Sequence, residues 1–374
     1  MNVTDILTRI EENGFEAYIV GGYVRDNILG IESNDIDICT NAKVKDILDI
    51  FNDVNLITNE YGAVKLISNH ANIDITTYRR DLRYNGSRRK VEIEYVDNLI
   101  DDINRRDFTM NTLCMSKEGN IIDILNARKD IDDKVIRCVG EISERLNEDP
   151  LRMLRAVRFA TVLDFRIEDN LYEELKKNKE LLEQLSLERI KEELTKILIH
   201  KNAIKGLDYL RRLGFLPYLG IEFDKIVNVP DISAMFSQLK FTKEYPFSKE
   251  EKQNIDSIKA ILENGKIDKE VLFNYGLYLS IVAGSILGIS KEYITELDHD
   301  VAIRHIKDIK IKSDEICSLL NIKPSKVLST VYGELKLKIL RDELENDNIV
   351  LRQYIMDNGE KWLNEGDAKK GFNF

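Results

Sequence analysis

Apolar residues Val3, Ile6, Leu7 and Ile10 recur at helical spacing and predict a helix over residues 3–13. A β-rich run at 15–20 predicts a strand, and 23–29 a helix that opens on Gly21 and Gly22. The period then becomes two. Asp35, Ile36, Asp37 and Ile38 alternate, so both aspartates fall on one face of a strand and both isoleucines on the other. A helix over 44–51 follows, then strand-like runs at 63–67, 73–78 and 91–96. These runs lack the regular strand–helix alternation of a doubly wound fold and predict a small mixed or antiparallel sheet backed by a few helices. From about Val139 the pattern is helical with short loops. The expected fold class is α+β, a sheet-bearing N-terminal region followed by helices alone.

Composition narrows the function. The 374 residues leave room for two to four packed units, with 43% apolar and 32% charged residues, a globular balance. No run of eighteen apolar residues is present and the N-terminal residues lack a basic and apolar leader, so neither a membrane span nor a signal peptide is expected. Cys39, Cys114, Cys138 and Cys317 are scattered, which suits a reducing, cytoplasmic setting and argues against a zinc site. The net charge of −11 disfavours broad, non-specific nucleic-acid binding but allows a local basic surface.

The chemistry concentrates between Gly21 and Asp37. Two glycines after a strand let the backbone turn at positive φ and present amide N–H groups at a helix start, a phosphate cradle. Arg25 follows within one helical turn, in reach of an anion. Asp35 and Asp37, side by side on a strand, repel unless a cation lies between them, and their hard oxygens suit Mg²⁺. A nucleoside triphosphate with Mg²⁺ needs this combination. Gly-Gly alone is usually a turn and Asp-x-Asp alone a solvated strand edge; the order and spacing of the two together are far more specific.

The stretch resembles the head motif of the tRNA nucleotidyltransferase/poly(A) polymerase family, in the DNA polymerase β superfamily, and specifically the class II CCA-adding enzymes. Further motifs follow in family order. Asn104 to Asn111 contains Arg-Arg-Asp-Phe-Thr-x-Asn without mismatch; the resemblance implies that Arg106 contacts the triphosphate, with Asp107 and Asn111, four apart on a helix, orienting it. Glu148-Asp149-Pro150-Leu151-Arg152 resembles the family's Glu-Asp-x-x-Arg motif, followed by Arg155 and Arg158. Pro150 suits the first position of a helix, so Asp149 is also its natural N-cap. Ser186 to Leu194 resembles the next motif, with Glu188 and Arg189 bracing the nucleotide-reading helix. Asp74, in a second Ile-Asp-Ile, is either a third metal ligand, which the resemblance favours, or a polar strand position. The basic Asn-Gly segment 79–90, with Arg83, Arg88 and Arg89, reads as a loop: solvated, or a mobile element near RNA and nucleotide as in relatives that add a terminal A. His299-Asp300 stands without the further ligands of the HD-type phosphohydrolase domain that many relatives carry, and reads as a polar pair facing solvent.

Residues 301–341 hold nine Lys and Arg against four Asp and Glu, either a solvated face or a surface for the RNA backbone, with Lys310, Lys312, Lys336 and Lys338 as candidates. The family order implies a catalytic head over 1–138, a base-recognising neck over 139–198, a body over 199–290 and a tRNA-binding tail over 291–374. The reaction implied is template-independent addition of C, C and A to a tRNA lacking its 3′ CCA end, from CTP and ATP, with Mg²⁺ held by Asp35 and Asp37 and Gly21, Gly22, Arg25 and Arg106 gripping the triphosphate. Base choice follows from polarity. Arg152 can only donate and ionised Asp149 only accept, which matches the acceptor-beside-donor edges of C and A and mismatches U and G. A poly(A) polymerase, an enzyme adding only CC or only A, and a catalytically silent RNA-binding protein are the alternatives. Intact Asp35, Asp37 and Arg106 argue against the last. The sequence leaves the oligomeric state open.

Overall fold

The alternating run at Asp35 becomes the middle strand of a mixed sheet. The computed structural model describes residues 2–54, 56–58, 63–67, 72–82 and 92–368. Its first strands are β1 (Ala17–Val20), β2 (Asp35–Thr40), β3 (Leu56–Thr58), β4 (Ala63–Ile67), β5 (Asn72–Thr77), β6 (Arg79–Leu82), β7 (Glu92–Tyr95), β8 (Cys114–Met115) and β9 (Ile121–Ile122). Seven of these form one sheet in the order β3-β4-β5-β2-β1-β8-β9, and β6 and β7 form a separate hairpin. β2 is antiparallel to β1 and parallel to β5, with Asp37 beside Asp74 and Asp35 beside Asn72. Ile36, Ile38, Ile73 and Ile75 point to the other face and are at most 8% exposed. Burying such a side chain contributes about 1.5–3 kcal/mol. A slip of one residue would exchange these isoleucines for aspartates, so burial sets the register that aligns the carboxylates.

The helices of the N-terminal half are α1 (Val3–Glu12), α2 (Gly22–Leu29), α3 (Val44–Ile50), α4 (Leu99–Asn104), α5 (Ala127–Asp132), α6 (Ile142–Glu148), α7 (Leu151–Val162), α8 (Asp169–Lys177), α9 (Leu187–Leu198) and α10 (Ala203–Arg212). α1 buries the predicted stripe Ile6, Leu7 and Ile10 and is closed by a capping box between Asn2 and Asp5. α7 packs against α9 and α10. Ser186 caps α9 as expected, accepting from the Arg189 N–H.

Several local expectations are corrected. Residues 79–82 are strand, because Arg79 to Leu82 pair with Tyr95 to Glu92; the rest of the expected loop, with Arg83, Arg88 and Arg89, lies outside the described residues. Asp107 and Asn111 do not share an α-helix. Phe108 is extended (φ −130°, ψ 147°) and bridges to Cys138, and only Thr109–Asn111 forms a 3₁₀ turn. α7 runs from Leu151 with Pro150, not Asp149, at the cap position, and Asp149 closes α6, although its Oδ1 still accepts the Leu151 N–H at 3.2 Å.

The chain divides into two compact units, Met1–Glu222 with Phe241–Pro246, and Phe223–Lys240 with Phe247–Phe374. The second is helical. Its helix Lys269–Leu287 is long and apolar enough to cross a membrane by length and composition, although polar residues interrupt its apolar run. Non-helical torsions at Gly276 (φ 77°, ψ 169°) break it, and Val271, Leu272, Ser280, Val282, Ala283 and Gly284 are buried. Near the end of the chain Trp362 is 1% exposed; its indole N–H donates to Glu334 at 2.8 Å, and the Tyr354 hydroxyl reaches the same carboxylate at 2.7 Å.

Candidate active site

Asp35, Asp37 and Asp74 lie on one face of the sheet, set there by the period-two pattern of β2 and β5. Asp35 and Asp37 are exposed and Asp74 is half-buried. Lys65 of β4 stands opposite Asp74. Protein packed around the Asp37 carboxyl pushes its pKa above the ordinary carboxylate value. The charge of Arg106 pulls it down, while those of Asp74 and Asp35 raise it further. This is what a set of carboxylates experiences before a cation joins it. Among the described residues no three metal-ligating side chains converge closely enough to hold an ion by themselves. The donors are hard oxygens, as Mg²⁺ requires, and Mg²⁺ is commonly held by one or two carboxylates together with substrate phosphates. The residues present therefore fit that ion.

The chain leaves β1 at Gly21, whose torsions (φ 79°, ψ −130°) only glycine adopts readily. Its N–H donates to the Leu113 carbonyl at 3.2 Å. A Cβ there would stand 3.2 Å from Arg106 Nη1 and 3.9 Å from Asp37 Oδ2, so the glycine also admits the arginine beside the carboxylate face. α2 starts at Gly22 with no side chain capping it, leaving its first amides for an anion. Arg25, one turn on, is 7% exposed. Its Nε and Nη2 bind Asp26 at 2.8 and 2.7 Å, and its Nη1 binds Asn111 Oδ1 at 2.5 Å.

Asn111 and Asp107 meet although no helix carries them. Asn111 Nδ2 donates to Asp107 Oδ1 at 2.9 Å, and Asp107 Oδ2 accepts Arg155 Nε at 2.7 Å. Burial alone would raise the Asp107 carboxyl. Arg155, Asn111 and the Phe108 N–H hold it below its ordinary value, so it is ionised. A chain of polar contacts thus runs from Arg25 through Asn111 and Asp107 to Arg155 on α7. Phe159 lies under it, with the guanidinium carbons of Arg25, Arg155 and Arg158 at 5.2, 5.3 and 4.1 Å from its ring centre. Arg158 also pairs with buried Glu193 of α9 at 2.7 Å.

The expected base-reading pair is more engaged than the sequence implied. Arg152 is 7% exposed. Its Nη1 donates to the Arg145 carbonyl at 2.6 Å and to Glu148 at 2.9 Å, and its Nη2 to the Arg105 carbonyl at 3.1 Å. Arg145 reaches the carbonyl of Arg106 at 2.8 Å and that of Arg105 as well. Two guanidinium groups thus cap the carbonyl end of α4, where cations are favoured. Arg189 Nη2 lies 3.1 Å from both oxygens of Asp149, a direct brace.

Sequence reasoning missed Asp102, Arg145, Phe159 and Glu193. Asp102 stands four residues before Arg106, a readable helical acid–base spacing. Arg145 and Glu193 have near partners in Glu148 and Lys196, but the Arg105 and Arg106 carbonyls and Arg158 that tie them into the site sit some 35 to 40 residues away and left no local signal. In the tail, Lys310 and Lys312 are exposed and without ion-pair partners among the described residues, because Ile309 and Ile311 take the buried positions. Lys336 lies over the Phe273 ring at 5.3 Å, and Lys338 pairs with Glu343 at 2.9 Å, so both are already occupied.

Comparison with known proteins gives the same reading. Residues 17–137 match the family model described as "Poly A polymerase head domain", and 164–226 that described as "Probable RNA and SrmB- binding site of polymerase A". A CCA-adding enzyme of Ligilactobacillus salivarius is 31% identical, the match covering 96% of either chain. One of Pediococcus pentosaceus is also 31% identical, over 92% of this chain and 95% of that one. Among solved structures, the Bacillus stearothermophilus CCA-adding enzyme in complex with CTP superposes with a TM-score of 0.83 at 23% identity, covering 97% of this chain and 98% of that one. The Thermotoga maritima CCA-adding enzyme complexed with tRNA has a TM-score of 0.68 at 20% identity, covering 95% and 94%. With a carboxylate face, a glycine turn that admits an arginine, and relatives matched along nearly their whole length, the chain belongs to the tRNA nucleotidyltransferase/poly(A) polymerase family, among its CCA-adding enzymes.

Proposed function

We propose that this protein adds C, C and A to the 3′ end of tRNA from CTP and ATP, releasing pyrophosphate, in the cytoplasm. The observation that carries the reading is the meeting of Gly21, Arg106 and Asp37 at one point, with Arg106 Nη1 within 3.2 Å of the position a Gly21 Cβ would take. An anion grip and a metal-binding face so close together suit transfer of a nucleotide from its triphosphate. Asp35 and Asp37, with Asp74 beside them, would hold Mg²⁺. Two such ions there would supply a lowered pKa for the terminal ribose hydroxyl, from one, and neutralisation of charge on the leaving pyrophosphate, from the other. Gly21, Gly22, Arg25 and Arg106 bind the triphosphate. Asp107 and Asn111 hold Arg25 and Arg155 in place. Asp149 and Arg152 read the base edge.

That last role is compatible with the bonds described above. Three of the five N–H groups of Arg152 have partners among the described residues, which leaves donors for a ring nitrogen. The division into head (1–138), neck (139–198), body (199–290) and tail (291–374) belongs to the same proposal, as does RNA binding by Lys310 and Lys312.

The test is incubation of tRNA lacking its 3′ CCA with Mg²⁺ and each nucleotide singly and together. CTP with ATP should give C, C and one A, and UTP and GTP little product. Runs of A on any RNA would favour a poly(A) polymerase instead, and absence of any product would return the silent RNA-binding reading. A further expectation concerns the basic segment. Deleting residues 83–88 should leave C addition intact and suppress the final A; a truncated enzyme that completes CCA at the parental rate would remove that segment from the mechanism.

A further inference from the structure

We propose that Asp102 is a positioning residue for the triphosphate: it holds the Arg106 guanidinium against the Gly21 turn and keeps it off the metal-binding carboxylates. The proposal rests on Arg106 gripping the triphosphate, as read above. Asp102 is 0% exposed, on the last turn of α4. An isolated carboxylate so placed would be strongly disfavoured, so its partners determine what it does. Its Oδ2 accepts Arg106 Nη2 at 3.1 Å. Its Oδ1 accepts Arg105 Nε at 2.9 Å and the Arg79 backbone N–H, at the start of β6, at 3.3 Å. The carboxylate is therefore fixed from two elements at once, and Arg106 is tied to a point that does not move with the nucleotide.

The geometry of Arg106 shows what this tether achieves. The Nη2 end is held by Asp102 while Nη1 lies on the Gly21 turn, 3.2 Å from where a Cβ would be. Arg106 Nε is buried and has no partner among the described residues. The backbone is held as well, since Arg145 donates to the Arg106 carbonyl at 2.8 Å. Asp37 is the competing carboxylate, its Oδ2 3.9 Å from the same Gly21 Cβ position. Without Asp102 the strongest remaining attraction for the guanidinium on this face is Asp37. A pair formed there would take Arg106 from the phosphates and a ligand from the metal. Asp102 thus separates two functions that would otherwise neutralise each other.

Binding of CTP and of CMP, measured by titration calorimetry in Mg²⁺, tests the proposal, because CMP lacks the β- and γ-phosphates. Asp102→Asn keeps the shape and removes the charge. It should weaken CTP about ten- to a hundredfold, the range of one charged hydrogen bond, and leave CMP unchanged. The Mg²⁺ concentration giving half-maximal CTP binding should rise. In an Arg106→Gln background, Asp102→Asn should have no further effect on CTP. If Asp102→Asn does not fold, Asp102→Glu, which displaces the carboxylate but keeps its charge, should still weaken CTP and spare CMP. Equal weakening of CTP and CMP, no weakening of CTP, or an undiminished effect in the Arg106→Gln background would each overturn the proposal. Arg106→Gln alone is the separate control: if it leaves CTP binding unchanged, the reading of Arg106 itself fails.

Discussion

Replacing Asp37 or Asp35 with alanine is expected to reduce nucleotide transfer by about a thousandfold or more without loosening the fold. Metal ligands supply several kcal/mol of transition-state stabilisation, and each 1.4 kcal/mol or so is a factor of ten in rate. Neither carboxylate is part of the core: both are exposed, and the isoleucines between and behind them carry the packing. The sign of the stability change is itself informative. The protein packed around it and the charges of Asp74 and Asp35 raise the Asp37 carboxyl against the pull of Arg106. A carboxylate with a raised folded-state pKa costs stability as pH climbs through that value, above the ordinary range near 4. At neutral pH in metal-free buffer, Asp37→Asn should therefore melt no lower than the parent. Single-turnover incorporation and thermal melts on the same preparations check both halves. Transfer within tenfold of the parent in both alanine variants, or loss of activity that merely follows unfolding, would refute a catalytic carboxylate face.

The second large effect is expected at Arg152. Its Nη groups are given to the carbonyls of Arg145 and Arg105 and to Glu148, so alanine would remove three hydrogen bonds, although each acceptor keeps a second partner in Asp149 N–H or Arg145. Each lost hydrogen bond of the charged guanidinium costs about 1.5–3 kcal/mol at most, which predicts a lower melting temperature as well as slower transfer. If Arg152 also donates a charged hydrogen bond to the base, as proposed, its loss adds about 1.5–3 kcal/mol, or ten- to a hundredfold, in use of CTP and ATP. The deciding quantity is the ratio among nucleotides. If Arg152 reads the base edge, discrimination against UTP and GTP falls in Arg152→Ala when all four are compared on one tRNA. A slower enzyme with unchanged selectivity would restrict Arg152 to clamping the end of α4.

Legibility followed the range of the interaction. The alternation of Asp35 to Ile38 and of Ile73 to Ile75 was enough to assign faces, because a strand has one period and burial enforces it. Motif order pointed to Arg106, Asp149 and Arg152, the helix stripe of α1 was read from spacing, and the cap of α9 from Ser186. The failures lie where tertiary contacts override local preference. Asp107 and Asn111 were given a helix because four residues separate them, yet Phe108 is drawn into extended backbone by its bridge to Cys138. Their side chains meet all the same, at 2.9 Å. The free donors imagined for Arg152 were partly spent on carbonyls 7 and 47 residues away, which no local pattern announces.

Trp362 is the chain's sole tryptophan, and it lies in the second compact unit, sealed against Glu334. Its intrinsic fluorescence is therefore a reporter for one half of the molecule only. On a denaturant series the indole emission follows the unit that holds Lys310 and Lys312, whereas far-UV ellipticity follows both units together. Coincident midpoints would mark the two as a single cooperative block; separated midpoints would give each its own stability, obtained without a label or a new cysteine.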